Sequence, residues 1–250
     1  MKLHSFHFSP HGLARAYSHL VAGWRLCRAT RNSLRGLIPE SVPSMTAGWN
    51  FFRTIRERAL PPPATILDIG ANGSQMALLL KMAATTDVRV LSFEPNPAVH
   101  PMGEVFRVAL SDVDGSAELI LPQGDSLWGT ISTARVDSKR IGAGQAVRCA
   151  RMDTVVKNGE VRFETFQHPI LVKIDTEGGE KRVIDGFGDV LKQVDMLLVE
   201  VDNKVAQGHE YDIVSLSSFL SSCGFIHGKV LYACYDGPSA PSYMDVLFWK

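Results

Sequence analysis

The chain has 250 residues, of which 45% are hydrophobic and 21% are charged, with 21 glycines and 13 prolines. This composition is typical of a globular protein with a substantial core, and it excludes a disordered or fibrous chain. Basic and acidic residues both number 26, so the formal net charge is zero.

The charge is distributed unevenly along the chain. Residues 1–60 hold nine basic and two acidic residues, a net charge of +7, and residues 61–250 hold 17 basic and 24 acidic residues, a net charge of −7. Because the larger part is acidic, we expect no nucleic-acid partner. The basic segment either contacts a membrane surface, contacts a second copy of the chain in a homo-oligomer, or is a solvated helix.

Cysteine spacing and hydropathy indicate a cytoplasmic protein. The four cysteines form no CxxC or Cys/His pattern, so we expect reduced thiols and no structural zinc. No stretch approaches the roughly 18 apolar residues of a membrane-spanning helix. Residues 1–10 include histidine and serine where a secretory signal needs a continuous apolar run.

The basic segment is predicted to be helical. Apolar residues recur at helical intervals over residues 13–35, and a second, shorter helix is predicted over residues 47–59. Three consecutive prolines, Pro61 to Pro63, end that helix because proline cannot donate the helical hydrogen bond. We therefore predict an N-terminal helical extension, residues 1–60, followed by one main domain, residues 61–250.

The main domain opens with a strand, a helix and a strand, at residues 65–69, 75–84 and 88–93. A third strand is predicted at residues 105–110. The turn-forming Asp114-Gly115 predicts that residues 117–121 pair back on this strand as a hairpin.

The rest of the domain continues the alternation of strands and helices. Strands are predicted at residues 147–152, 170–174 and 196–201, a helix at 211–222, and a closing antiparallel hairpin at 225–232 and 243–249. The pattern predicts an α/β fold with a mostly parallel sheet. The glycine-containing segment 122–146 is interpreted as a lid or substrate loop rather than a filler loop.

The loop after the first strand is the first candidate binding site. It contains Asp68, Gly70, Ala71 and Asn72 and leads directly into a predicted helix, a geometry that presents backbone N–H groups to a ligand. The carboxylate of Asp68 would repel a pyrophosphate, whereas it would attract a ligand that carries a sulfonium and an ammonium. S-adenosylmethionine is such a ligand, although the same turn is also found as a purely structural one.

Two further carboxylates follow the next strands. Glu94 ends the second strand, where it can accept hydrogen bonds from the two hydroxyls of a ribose or can cap the next turn. Asp112 follows the third strand, where it can accept from an adenine amino group or belong to an ordinary turn.

Four segments together resemble, in order, the FkbM family of S-adenosylmethionine-dependent methyltransferases: Asp68-Ile-Gly-Ala-Asn, Phe93-Glu-Pro, Ala109-Leu-Ser-Asp with Gly115, and Lys173-Ile-Asp-Thr-Glu-Gly. The resemblance covers about residues 64–201. It implies a class I methyltransferase fold, Rossmann-like, with seven strands and helices on both faces of the sheet.

The resemblance also implies roles for individual residues. Asp68, Gly70, Ala71 and Asn72 would surround the methionine part of the cofactor, and Glu94 would bind its ribose. The family resembles enzymes that methylate hydroxyl groups of sugars and polyketide-like small molecules. One departure is Ser74, which stands where the family usually has glycine and which we interpret as the N-cap of the following helix.

Methyl transfer to a hydroxyl calls for a general base or a metal, because an alcohol is a poor nucleophile. Asp175 is the candidate base or acceptor ligand, and Glu177 is the candidate to hydrogen-bond cofactor or acceptor. Both could instead be structural residues of the turn. A divalent metal held by Asp175 with oxygen ligands after the fifth core strand is a further alternative that we do not favour. The oxygen-bearing residues there are Glu200, Asp202 and Asn203.

We therefore expect an S-adenosylmethionine-dependent O-methyltransferase acting on a hydroxyl of a sugar, a glycan or another small metabolite. A non-catalytic binding or scaffold protein that kept the fold is the alternative. A nicotinamide-dependent oxidoreductase would share the fold but not the acidic pattern of the loops.

Overall fold

The computed structural model describes residues 41–74, 77, 87–120, 130–131, 144–202, 212–235 and 241–250, and only the backbone for 41–45, 130–131 and 202. The predicted helix at 13–35, most of the helix at 75–84 and most of the loop at 122–146 lie outside these residues.

The described part of the chain contains eleven strands in two sheets. In chain order they are β1 Thr65–Ile69, β2 Arg89–Phe93, β3 Glu104–Phe106, β4 Ala109–Leu110, β5 Gly115–Ile120, β6 Thr130–Ile131, β7 Gln145–Ala150, β8 Ile170–Ile174, β9 Met196–Asp202, β10 His227–Cys234 and β11 Tyr243–Trp249. The larger sheet has seven strands in the order β10-β11-β9-β8-β1-β2-β3. Its strands are parallel except β11, which runs antiparallel to both β9 and β10. The predicted α/β fold, with its mostly parallel seven-stranded sheet and closing antiparallel hairpin, is confirmed.

Helices cover both faces of this sheet, as predicted. They are α1 Ser41–Glu57, α2 Met152–Lys157, α3 Glu180–Phe187 and α4 Ile213–Ser222. Buried residues of α2, α3 and α4 share one core with Leu67, Val172 and Val199. All residues of β1 and β8 are buried, which explains why these strands are mostly apolar rather than alternating, with Asp68 and Lys173 as their charged residues. No helix in the described part of the chain is long and apolar enough to cross a membrane.

Helix α1 covers the other face of the sheet. Ala47, Phe51 and Ile55 are spaced four residues apart and share a second core with Leu171 and Leu198. The compact unit therefore begins at Pro43, whereas the sequence placed this helix in a separate extension that ended at residue 60. The two boundaries differ because three prolines mark the end of a helix but say nothing of which core its apolar face joins.

The smaller sheet corrects one sequence prediction. Residues 105–110 do not form one strand but divide between β3 in the large sheet and β4 in the small sheet. The predicted hairpin is wrong, because β5 pairs with β6 and β7, and β4 also pairs with β7. The sequence predicts only a turn at Asp114. Its carboxylate also accepts hydrogen bonds from the Arg151 amide and the Thr154 hydroxyl, and these bonds hold the turn against the start of α2.

The ends of the three central strands are fastened to one another through their backbones. The Gly70 amide donates to the Phe93 carbonyl at 3.0 Å, and the Asp175 amide donates to the Ile69 carbonyl at 3.1 Å. Gly70 has a φ of +69°, and a Cβ atom there would lie 1.8 Å from the Asp175 carbonyl oxygen. Only glycine therefore fits where the β1 loop crosses the end of β8.

We expect the substitution Gly70→Ala to lower the free energy of unfolding by at least about 2 kcal/mol, since it adds both a steric clash and a disfavoured φ. Urea unfolding followed by circular dichroism would measure the loss. Gly73→Ala is the matched control: it lies three residues away, has an ordinary φ and has no atom within 4 Å of an added Cβ. Equal stability of the two variants would contradict this explanation.

Candidate cofactor and acceptor site

The loops at the carboxyl ends of β1, β2, β8 and β9 carry most of the residues singled out from the sequence. These four strands are parallel and adjacent in the sheet, so their loops meet at one edge. Strand β11 is antiparallel, so its first residues lie at the same edge. This edge is where open α/β sheets bind ligands.

Glu94 joins the loop after β1 to the loop after β2. Its Oε2 accepts a hydrogen bond from the Asn72 amide and its Oε1 accepts one from the Asn96 amide, both at 2.8 Å. The residue is only 8% exposed. Each carboxylate oxygen has a second lone pair, so Glu94 can both cap these turns and accept hydrogen bonds from two ligand hydroxyls.

Arg107 supports the same loop and was not singled out from the sequence. Its guanidinium donates to the carbonyl of Asn96 at 2.6 Å and to that of Val99 at 2.9 Å. The only sequence signal was a charged residue inside an otherwise apolar run. The apolar run does not predict that Arg107 contacts residues eight and eleven positions earlier in the chain.

Asp68 lies beneath the loop rather than at its surface. Asp68 and Lys173 are register partners on β1 and β8, and Asp68 is 0% exposed. The Lys173 Nζ lies 3.4 Å from Asp68 Oδ1 and 3.2 Å from Asp175 Oδ2, and it donates to the Gly70 carbonyl at 3.2 Å. Among the described residues, none donates a hydrogen bond of good geometry to either Asp68 oxygen. Asp68 therefore has no exposed surface that could contact a ligand directly.

The pKa values of Asp68 and Lys173 are shifted by burial and by the charges beside them. Burial raises the pKa of the Asp68 carboxyl, against the opposing charge of Lys173 and the hydroxyl of Ser74. Burial alone would lower the pKa of Lys173, but the carboxylates of Asp175 and Asp68 outweigh it and hold that pKa above its ordinary value. Lys173 therefore stays protonated between Asp68 of β1 and Asp175 of the turn after β8.

The turn after β8 carries both predicted catalytic residues. Asp175 is ion-paired with Lys173 and keeps a third of its side chain exposed, and Glu177 is exposed with a φ of +56°. The turn is held by Glu180, whose Oε1 accepts hydrogen bonds from the amides of Thr176 and Gly178. Glu180 was missed from the sequence, although an acidic residue in the first turn of a helix is a recognised signal.

Asp112 is not joined to the other candidate residues by any contact that the structure describes. Its Oδ1 accepts a hydrogen bond from the Ser111 hydroxyl, and its carbonyl accepts one from Arg151. Both contacts belong to the region of the smaller sheet.

Ser74 differs from the N-cap that we expected. Its φ is +55°, whereas an N-cap residue is normally extended. Its buried Oγ accepts a hydrogen bond from the Met102 amide at 3.1 Å and lies 3.4 Å from the Ser92 Oγ. Ser74 thus takes a backbone conformation that favours glycine, and its side chain ties the β1 loop to β2 and to the segment before β3.

Two more carboxyl groups extend the site towards the hairpin. Glu200 of β9 and Asp245 of β11 are direct register partners. Burial raises the pKa of Glu200, with further contributions from Asp175 and Asp245. Burial and the charge of Asp175 raise the pKa of Asp245 to about 7, against the pull of Lys173.

The metal alternative gains no support from the side chains that the structure describes, since no three His, Cys, Asp or Glu residues among them are grouped to hold an ion. The Asp202 side chain and Asn203 lie outside these residues.

We expect Lys173→Met to lower the free energy of unfolding by about 3–5 kcal/mol, because it leaves Asp68 buried without its cation. The double variant Asp68→Asn/Lys173→Met should recover much of that loss, since it removes both charges. Chemical unfolding of the two single variants and the double variant completes the cycle. Strictly additive losses would show that the pair is not coupled.

Asp245→Asn should stabilise the protein above neutral pH and have little effect near pH 4. The folded protein binds the Asp245 proton more tightly than the unfolded chain, so the stability of the natural protein falls as pH rises from about 4 to about 7. The variant avoids this fall and should gain about 4 kcal/mol at pH 8, since a rise of about three pKa units corresponds to that free energy. Unfolding of both proteins at pH 4 and pH 8 measures the difference. Asp189→Asn, at an exposed position, is the control, and a loss of stability at pH 8 in Asp245→Asn would contradict the account.

Comparisons with known proteins agree with the family that the motifs resemble. A family model described as methyltransferase FkbM domain matches residues 68–226. No curated protein matches the sequence.

Several solved structures are similar to the chain. The Burkholderia thailandensis 1,6-didemethyltoxoflavin-N1-methyltransferase, with 1,6-didemethyltoxoflavin and S-adenosylhomocysteine bound, is 15% identical, with a TM-score of 0.39 over 99% of this chain and 93% of that chain. The plantazolicin methyltransferase BpumL in complex with SAH is 8% identical, with a TM-score of 0.40 and 89% of each chain covered. The precorrin-6y C5,15-methyltransferase from Geobacter metallireducens GS-15 is 12% identical, with a TM-score of 0.38 over 86% of this chain and 92% of that chain.

The family match begins at the buried Asp68 and runs through Glu94, Lys173 and Glu200 to the start of the closing hairpin. Because it covers well over half of the sequence, the chain belongs to the FkbM methyltransferase domain family.

Proposed function

We propose that the chain is an S-adenosylmethionine-dependent methyltransferase that methylates a hydroxyl of a sugar, a glycan or another small metabolite. The observation that carries the proposal is the position of Glu94, which holds the β1 and β2 loops together and keeps lone pairs for ligand hydroxyls. The cofactor supplies an electrophilic methyl group on a sulfonium.

The residues of the loop fit such a ligand. Gly70 lets the β1 loop pass close over the end of β8, because no side chain fits there. The carboxylates of Glu94 and Asp175 lie at the ends of β2 and β8, on either side of β1, so they favour a cationic ligand and disfavour a diphosphate. Lys173 does not reverse this preference, since it is already shared between Asp68 and Asp175.

In this proposal each residue of the candidate cofactor site has its own role. The backbone of Gly70, Ala71 and Asn72 surrounds the methionine part, and Glu94 accepts hydrogen bonds from the ribose. Asp68 has no exposed surface, so it contributes by fixing Lys173 and the loop above it. The contact of Asp112 with adenine is proposed from the sequence alone.

The acceptor lies over the end of β8 in this proposal. The exposed third of Asp175 can accept a hydrogen bond from the acceptor hydroxyl, and Lys173 fixes the direction of its carboxylate. Glu177 is exposed on the same turn and can hydrogen-bond the acceptor or the cofactor. This arrangement holds the hydroxyl in one orientation, which an in-line displacement requires.

Calorimetric titration tests the cofactor. We expect S-adenosylmethionine and S-adenosylhomocysteine to bind the full-length chain and NAD not to bind. Glu94→Gln should weaken both affinities by about tenfold or more, because the new amide NH₂ faces a backbone N–H and the charge is lost. Mass spectrometry of cell extracts incubated with methyl-labelled cofactor would then identify methoxy products.

Glu164→Gln, an exposed position far from these loops in the sequence, should bind the cofactor unchanged. If the folded chain binds neither S-adenosylmethionine nor S-adenosylhomocysteine at millimolar concentration, the enzyme proposal fails and the binding or scaffold alternative stands.

A further inference from the structure

The Glu200–Asp245 pair lies outside the part of the site assigned to the cofactor. Lys173 pairs with Leu198, two residues before Glu200, and Glu200 pairs with Asp245. Because side chains alternate along a strand, all these residues point to the face of the sheet covered by α1. The same face of β1 carries Asp68.

Asp245 is a buried carboxyl group without a hydrogen-bond donor among the described residues. It is 9% exposed. Glu200 is half-buried beside it. Burial and the charge of Asp245 raise the pKa of Glu200, so the two opposed carboxyl groups are both ionised most readily when a cation lies beside them.

The only described cation near the pair is Lys173, and it is already engaged. Its Nζ contacts Asp68, Asp175 and the Gly70 carbonyl. The other titratable groups that influence the pair are acidic or phenolic: Asp175, Glu177 and Glu180 from the β8 turn and α3, Tyr243 from β11 and Tyr232 from β10.

Two tyrosine rings border the carboxyl pair. Tyr232 is the register partner of Asp245, Tyr243 lies two residues before it, and their ring centroids are 5.9 Å apart. Both residues are half-buried. Burial and the neighbouring Tyr232 raise the pKa of Tyr243, so its ring stays neutral. Carboxylates beside aromatic faces are the groups that bind ammonium ions.

We propose that Glu200 and Asp245, bordered by Tyr232 and Tyr243, form a subsite for a positively charged amine of the methyl acceptor. This inference rests on the proposed function and specifies its substrate class: the acceptor carries an ammonium group as well as the hydroxyl that is methylated. Neutral and anionic acceptors of the same shape bind more weakly.

The position of the subsite assigns the charge to the acceptor rather than to the cofactor. Strands β9 and β11 are two and three strands from β1, which is about 10 and 14 Å at the usual strand spacing. The sulfonium belongs over the β1 loop in the proposed arrangement. Mg²⁺ and Ca²⁺ take six or more oxygen ligands, some of them from water, and the side chains described here include no group of even three suitable residues.

The subsite also directs the reaction to oxygen. An ammonium held by two carboxylates keeps its proton and has no free electron pair, so it cannot attack the methyl group. The acceptor oxygen forms the new bond to the methyl carbon, the bond from that carbon to sulfur breaks with its electrons going to sulfur, and the hydroxyl proton passes to a carboxylate such as Asp175. Neutral S-adenosylhomocysteine and a methyl ether result.

A charge series of small probes tests the proposal. Benzylamine, which is protonated at pH 7.5, benzyl alcohol and benzoate are titrated into the full-length chain saturated with S-adenosylhomocysteine, with binding followed by saturation-transfer NMR. We expect the ammonium to bind best and benzoate least. Asp245→Asn and Glu200→Gln should each weaken ammonium binding by about tenfold and leave the alcohol unchanged.

The matched controls are Asp189→Asn and Glu164→Gln, at exposed positions on other parts of the chain. They should bind the ammonium like the natural protein, and all four variants should keep their affinity for S-adenosylhomocysteine. Equal binding of ammonium and alcohol, or an ammonium preference that survives in both site variants, would overturn the subsite. Absence of any cofactor binding to the natural chain would instead overturn the proposed function.

Discussion

The ion pairs of Lys173 hold the site together. A lysine inside the sheet is stable only because two carboxylates and a carbonyl surround its ammonium, and those oxygens come from β1, the β1 loop and the β8 turn. The same contacts fix where the loop lies, how Asp175 points and why Asp68 stays buried. The proposed cofactor and acceptor parts of the site therefore share one electrostatic centre.

Much of the fold could be predicted because the local signals and the tertiary structure agree. β1 and β8 are five-residue strands in which most residues are apolar, and both of their faces are buried. The small sheet could not be predicted in the same way. Asp114-Gly115 is a good turn sequence, but the pairing of β5 with β7 depends on partners some thirty residues away.

The residues of the candidate site also differ in whether the sequence could predict them. Gly70 and Glu94 were recognisable because a strand end followed by a tight loop predicts their position from sequence spacing. The roles of Arg107, Glu180 and Asp245 depend on contacts between elements, and an isolated charged residue in an apolar run has no spacing to reveal it. Asp68 was recognised as important, but its complete burial follows from its register with Lys173, which the sequence does not show.

Helix α1 belongs to the core of the folded unit although it precedes the family match. Phe51 and Ile55 fill the face of the sheet that carries Lys173 and Glu200 near its edge. A polypeptide that starts at the triple proline would keep every residue of the family match, yet it would expose the apolar residues of the sheet that α1 covers. The boundary of a family signature and the boundary of an autonomous folding unit are thus different places in this protein.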